Sequence, residues 1–298
     1  MQNAKQDLIA KIQGNFNSFS KGQKLIANYI INHYDKAAFM TAARLGEVVG
    51  VSESTVVRFA LELGLDGYPK LQKMLQELIK SKLTSVQRME VSSNRINEDN
   101  ILKSVLMSDM EKIKATLEEV DQANFDKIVE SILNARKIYI LGVRSSAALA
   151  SFLGFYFNLI FDNVRLVHTT SVSEMFEQIV RASEGDVVIG ISFPRYSKRT
   201  IKAMQFVKSQ GATTIAITDS VDSPLARDAD LSMIARSDMA SFVDSLVAPL
   251  SVINALIVAV GIRRKQQVSE TFEKLEKIWD EYQVYEKYED EELNKKTD

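Results

Sequence analysis

Along the first 80 positions apolar residues recur at helical spacing. Between Ser20 and Tyr34 they fall at Leu25, Ile26, Tyr29 and Ile30, one face of an amphipathic helix that Ser20 is placed to cap. A second, short helix is predicted over Thr41–Val49, with Ala42, Leu45, Val48 and Val49 apolar and Gly50 ending it. After Val51 a third begins at Ser52 and reads SESTVVRFALELG, with Val56, Phe59, Ala60 and Leu63 on one face and Gly64 closing it. From Ser85 to Asn100 the periodicity lapses and polar residues dominate, which predicts a linker. Helical patterns resume over 101–120 and 125–133.

Beyond Ala135 the pattern changes to short apolar runs, KIYILG, VRLVH, VVIGIS, TTIAITD and LSMIA, separated by helical stretches starting near Ser146, Ser173 and Thr200. Continuous apolar strands alternating with helices predict an open parallel sheet covered on both faces. The expected fold class is therefore an all-α helix-turn-helix N-terminal domain followed by an α/β domain with a parallel five-stranded sheet flanked by helices. Its parts are expected at 1–84, a linker at 85–100, the α/β domain with its leading helices at 101–264, and a C-terminal helix with an acidic tail at 265–298.

The uncharged stretch LVAPLSVINALIVAVGI, 246–262, falls short of the roughly 20 residues a bilayer requires and is interrupted by Pro249, Ser251 and Asn254. It reads as a helix apolar all round and hence buried, one that needs a partner surface, with no membrane implied. After it Val268, Phe272, Leu275, Trp279 and Tyr282 form a stripe suited to a partner helix or to the body of the domain. The acidic end is expected to fray.

At 298 residues the chain exceeds the usual single domain, so two are expected. The absence of cysteine excludes disulfides and thiolate metal sites, and two histidines, His33 and His168, exclude a histidine-rich one. No cofactor or metal is expected. The N-terminus lacks the charged-then-apolar order of a signal peptide, and a cytoplasmic location is the expectation. The net charge of −2 is unevenly spread: residues 1–85 hold 11 lysines and arginines against 7 acids. A basic first quarter beside an acidic remainder points weakly to nucleic acid.

Two short helices joined by a tight glycine-containing turn form the helix-turn-helix pattern, whose second helix enters the DNA major groove. The residues placed to reach DNA are Ser52, Glu53, Ser54, Thr55 and, one turn on, Arg58, which can take a guanine edge or a phosphate. The segment TAARLGEVVGVSESTVVRFALELGLDGYPKLQKML resembles the N-terminal domain of the RpiR family of bacterial transcriptional regulators, in VSESTVVRF and LGLDGYPKL above all. That resemblance implies double-stranded operator DNA as a partner.

The stretch from Val187 to Asp219 is a strand, a loop rich in hydroxyls and cations, a helix and a second strand. In such a crossover the loop faces the ligand crevice, so Ser192, Arg195, Ser197, Lys198, Arg199 and Thr200 sit at a helix N-terminus suited to an anion. GVRSSAALASF, SFPRYSKRT and ITDSVDSPLARDADLSMIA resemble the phosphosugar-binding loops of the sugar isomerase, or SIS, domain, which follows the DNA-binding module in the RpiR family. The resemblance implies ligand contacts from Ser146 with its neighbours Arg144 and Ser145, from the hydroxyls of Ser192, Ser197 and Thr200, and from Ser223 in the SPLA turn. Two departures stand out: Arg144 occupies the place of a second glycine, and the phosphate loop is longer, with Lys198 replacing its glycine.

His168 and Glu174, at a strand end and a helix start, are the one pair placed for acid–base chemistry, and each has a simpler structural reading. The expectation is a DNA-binding regulator, not an enzyme, modulated by a phosphorylated sugar and acting as a homodimer or homotetramer. The alternative is a sugar-phosphate isomerase with an accessory helical domain.

Overall fold

The structure is a computed structural model of the chain and describes residues 4–80, 86, 88–89, 100–169, 171–237 and 243–286. It forms two units, Met1–Glu118 with Phe193–Ser197 and Arg236–Ala248, and Glu119–Ser192 with Lys198–Ala235 and Pro249–Asp298. In the first, α1 (Ala4–Gly14), α2 (Lys21–Ala37), α3 (Ala42–Val49), α4 (Glu53–Glu62) and α5 (Tyr68–Lys80) enclose one core. Ile26, Ile30, Leu45, Val56, Phe59, Leu63 and Leu71, all at helical spacing, are fully buried in it.

Hydroxyl caps set three of these helix starts. Ser20 accepts from the Gln23 N–H and the Gln23 side chain accepts from the Ser20 N–H, a capping box; Thr41 and Ser52 accept from the Arg44 and Thr55 N–H groups. α2 runs past its expected end at Tyr34: the chain kinks at His33, where φ is −137°, and helical geometry then resumes to Ala37.

Between α3 and α4 the chain turns through Gly50 at φ 75°. Gly46 lets the two helices approach: a Cβ there would lie 2.7 Å from the Val51 carbonyl oxygen. α5 is tied to the turn after α2 by the Tyr68 hydroxyl, which donates to the Met40 carbonyl at 2.7 Å, and by the Gln72 and Gln76 amides, which donate to Met40 and Ala38. Burial pushes the Tyr68 hydroxyl up to about 12, so it remains a donor throughout the neutral range.

The expected linker lies largely outside the described residues. Within it Val86, Arg88 and Met89 are helical, and the buried Arg88 meets Asp244 at 2.6 Å. α6 (Ile101–Glu118) holds a second buried cation, Lys112, which donates to the Ser108 hydroxyl at 2.6 Å.

The second unit runs α7 (Gln122–Leu133), β1 (Lys137–Gly142), α8 (Ser146–Ile160), β2 (Val164–Val167), α9 (Val172–Ile179), β3 (Asp186–Ile191), α10 (Lys198–Ser209), β4 (Thr213–Thr218), α11 (Pro224–Asp228) and β5 (Leu231–Ile234). The five strands are parallel in the order β2-β1-β3-β4-β5. Right-handed crossovers place α8 on one face and α9, α10 and α11 on the other. The second face buries Tyr139, Leu141, Val188 and Ala216 under Met175, Ile179, Met204 and Val207. The alternate residues Ile138, Ile140, Ile189, Ile215 and Ile217 are equally buried, which is why the sequence shows apolar runs and no alternation.

α12 (Val247–Arg263) is covered on one side only. Ile253, Leu256 and Val260 are buried, yet Val258 and Ile262 on other sides are 57% and 69% exposed, so the helix is not enclosed within a single chain. Composition fixes its apolarity, but a two-layer unit supplies a covering surface on one side only. α13 (Lys265–Glu281) leaves it at 96°, and no single helix among the described residues is long and apolar enough to cross a membrane. In α13 Trp279 packs on Phe272 and Tyr285, while Tyr282, expected in the stripe, is exposed.

Replacing Gly46 by Ala forces the new methyl against backbone. The expected loss is about 1–3 kcal/mol in thermal unfolding, by overpacking at a site that cannot yield.

Candidate anion site and helix-turn-helix surface

β1 has β2 on one side and β3 on the other, so the connections leaving β1 and β3 diverge and open a crevice at their carboxyl ends. Gly142, the last residue of β1, brings the start of α8 against the strand. A Cβ there would lie 2.5 Å from the Ser146 carbonyl oxygen and 2.9 Å from the Ala150 methyl. Arg144 then takes φ 57°, the left-handed conformation that glycine adopts without cost, and its carbonyl accepts from the Ala147 N–H at 3.0 Å.

The helix that follows has no side-chain cap at Ser145. Ser146 is 5% exposed, and its hydroxyl makes no hydrogen bond among the described residues. Five other starts, at Ser20, Thr41, Ser52, Asp121 and Ser223, are capped by their own side chains. α8 therefore presents free N–H groups, the positive end of its macrodipole and a buried hydroxyl at the switch point, a set that suits an anion.

At the end of β3, Ser192 is buried and its N–H donates to the Ile217 carbonyl at 3.1 Å, extending the ladder to β4. α10 opens with Lys198 and Arg199 exposed and Thr200 fully buried. Between them Arg195 is exposed and Ser197 partly buried, in the segment Phe193–Ser197 that groups with the first unit.

Ser223 has a different place. It is fully buried and its oxygen accepts from the Ala226 N–H at 3.0 Å, capping α11, which accounts for the serine without a ligand. His168 is exposed beyond β2, and the Glu174 carboxylate accepts from the Thr169 hydroxyl. Two residues escaped the sequence reading: Gly142, whose role appears only in the strand–helix approach, and Asp219, a buried carboxylate at the end of β4 within 3.4 Å of the Thr218 hydroxyl.

On the helix-turn-helix the Ser52 oxygen lies 2.9 Å from the Ser54 hydroxyl and 2.8 Å from that of Thr55, so three hydroxyls gather at the start of α4. Ser52, Glu53, Ser54 and Arg58 are exposed and Thr55 partly so. The start of α2 lies beside them: a Cβ on Gly22 would come within 3.4 Å of Val51 and Thr55 side chains. Two helix N-termini thus converge on one surface, where Glu53 is the acidic residue in the first turn of α4.

Residues 6–82 match the family described as the helix-turn-helix domain of the rpiR family, and residues 131–259 match the SIS domain. An uncharacterized HTH-type transcriptional regulator of Caldanaerobacter subterraneus subsp. tengcongensis is 27% identical over 270 residues, 88% of this chain and 93% of that protein. Among solved structures, the sugar isomerase domain of an RpiR transcription factor from Sphaerobacter thermophilus is 26% identical with a TM-score of 0.55, covering 58% of this chain and 96% of that one. The Vibrio vulnificus NanR protein complexed with ManNAc-6P covers 91% of this chain and 99% of its own at 21% identity and a TM-score of 0.53, a likeness of fold.

Two substitutions compare the candidate anion site at the start of α8 with the capped start of α11. Gly142→Ala is expected to abolish the thermal shift given by inorganic phosphate. Ser223→Ala is expected to keep that shift while losing about 1 kcal/mol of stability, the usual value of a helix cap.

Proposed function

Because the chain belongs to the RpiR family of helix-turn-helix transcriptional regulators with an SIS domain, we propose that it binds operator DNA through the start of α4 and releases or tightens that grip when a phosphorylated sugar binds the α/β unit. The observation that carries the effector half is the uncapped start of α8, pressed on β1 by Gly142 and holding the buried Ser146. A phosphate accepts several hydrogen bonds at once, and the N–H groups of α8 with the hydroxyls of Ser146, Ser192 and Thr200 are donors of the right kind. Arg144, Lys198 and Arg199 add positive charge. The NanR protein, which shares this fold, is complexed with ManNAc-6P, a sugar phosphate, and that agrees with this class of effector.

The reading is of a regulator without turnover. An isomerase needs a proton-transfer pair at the reacting carbon. The pair the sequence offers is an exposed histidine and a glutamate already bonded to Thr169. A relative that matches over 88% of the chain is likewise named a transcriptional regulator.

We further propose a homodimer, or a pair of dimers, on a site of approximate two-fold symmetry. Exposed apolar side chains on α8 (Phe155), α12 (Val258, Ile262) and α6 (Leu102, Leu106, Met110) support it, since such faces call for a partner surface.

Arg58→Ala is expected to weaken operator binding by about 1–3 kcal/mol if the guanidinium takes a base edge; unchanged affinity in a fluorescence titration removes it from the interface. Ser146→Ala and Thr200→Ala are each expected to weaken sugar phosphate binding about tenfold, the worth of one charge-assisted hydrogen bond, with ligand-free operator binding retained.

A further inference from the structure

α6 carries its polar face inward and its apolar face outward. Asp109, Lys112 and Thr116 share one face of the helix, and Lys112 and Thr116 are buried. Hydrogen bonds within the first unit fix that face: Lys112 donates to the Ser108 hydroxyl, Asp109 accepts from the Ser245 hydroxyl, and Thr116 accepts from the Arg236 N–H at 2.9 Å.

Leu102, Leu106, Met110, Ile113 and Leu117 point the other way and are 39% to 74% exposed. Their spacings of four, four, three and four residues keep them within about 80° of the helix circumference. Rotating this stripe inward would strip Lys112 and Asp109 of their partners, a heavy cost for buried charges, so the stripe is covered from outside the chain. A seam this narrow fits another helix better than a broad core face.

The stripe also fits itself. Read backwards the spacing is four, three, four and four, so an antiparallel copy sets Leu102 against Leu117, Leu106 against Ile113 and Met110 against Met110, the self-complementary pattern of a two-fold contact. The exposed Lys103 and Glu118 lie on the same flank, each one residue past an end of the stripe. Antiparallel pairing brings lysine level with glutamate at both ends, whereas a parallel pair would set like ends together and align the two macrodipoles. The five side chains present roughly 500 Å², so the pair buries about 1,000 Å², the size at which a specific interface begins.

We propose that α6 pairs antiparallel with α6 of a second copy about a two-fold axis beside Met110, giving the helix-turn-helix unit a self-association seam of its own. The proposal rests on the homodimer reading above and assigns it a surface.

The chain has no cysteine, so introduced ones report alone. Full-length Met110→Cys is expected to couple to itself through a short bismaleimide, giving a covalent dimer on a denaturing gel. Leu102→Cys and Leu117→Cys are each expected to stay uncoupled and the double variant to couple, since the two positions lie about 22 Å apart along one helix and cannot be bridged within it. Leu106→Glu, at an exposed position of the single chain, is expected to halve the particle mass in light scattering with circular dichroism unchanged.

Self-coupling of Leu102→Cys, or no coupling of Met110→Cys in a parent that self-associates, would overturn the seam while leaving the homodimer reading standing. So would a folded Leu106→Glu variant of undiminished mass. A parent that stays monomeric would sink both.

Discussion

The close approach of β1 and α8 is the constraint on which the effector unit depends. With the strand order β2-β1-β3-β4-β5, β1 lies inside the sheet and its connection must leave upward and fold back at once onto one face. Gly142 allows that fold-back by leaving 2.5 Å between an imagined Cβ and the Ser146 carbonyl, a gap no side chain fits. From that contact follow the left-handed Arg144, the uncapped start of α8 and the burial of Ser146. The same device recurs twice. Gly190 lets α10 press on β3, where a Cβ would meet the Met204 sulfur at 2.7 Å, and Gly46 lets α3 meet the start of α4.

The opposite end of the sheet is fixed by other means. Arg136 grips the buried Asp186 with two nitrogens at 3.0 and 2.9 Å, joining the starts of β1 and β3. At the outer strands Asp230 takes the N–H and hydroxyl of Thr214 and the Lys208 ammonium at 2.7 Å. Burial draws its carboxyl upward, and these donors together outweigh that and hold it below the ordinary aspartate range. A carboxyl depressed on folding adds stability above its unfolded pKa and loses it as pH falls through the folded value, so the β4–β5 edge is weakened by acid and not by base. The amino ends of the strands are thus stapled by side chains, away from the crevice at their carboxyl ends.

Much of this was legible in the sequence for physical reasons that can be named. Strands buried on both faces leave uninterrupted apolar runs, and all five appear at their expected places; the caps at Ser20, Thr41 and Ser52 are one-residue signals that need no tertiary knowledge. What escaped depends on contacts between distant segments. Nothing in LGVRSS says that Gly142 faces a helix backbone or that Arg144 turns left-handed, and the serine of SPLA reads alike whether it binds a ligand or caps α11. The apolar stretch at 246–262 shows its hydrophobicity and its need for a covering surface in the sequence, while which of its sides its own chain covers is set by the packing of distant segments.

Coupling between the two halves is the central claim, and it must be reciprocal: whatever factor an effector imposes on operator affinity, the operator imposes on effector affinity. The most direct measurement is the dissociation constant of one sugar phosphate for the full chain, taken with and without saturating operator DNA. The account predicts that it shifts by the same factor, about 5- to 150-fold for a typical coupling, as the operator constant shifts with saturating effector. A sugar phosphate that binds with one and the same constant whether or not DNA is present would contradict it.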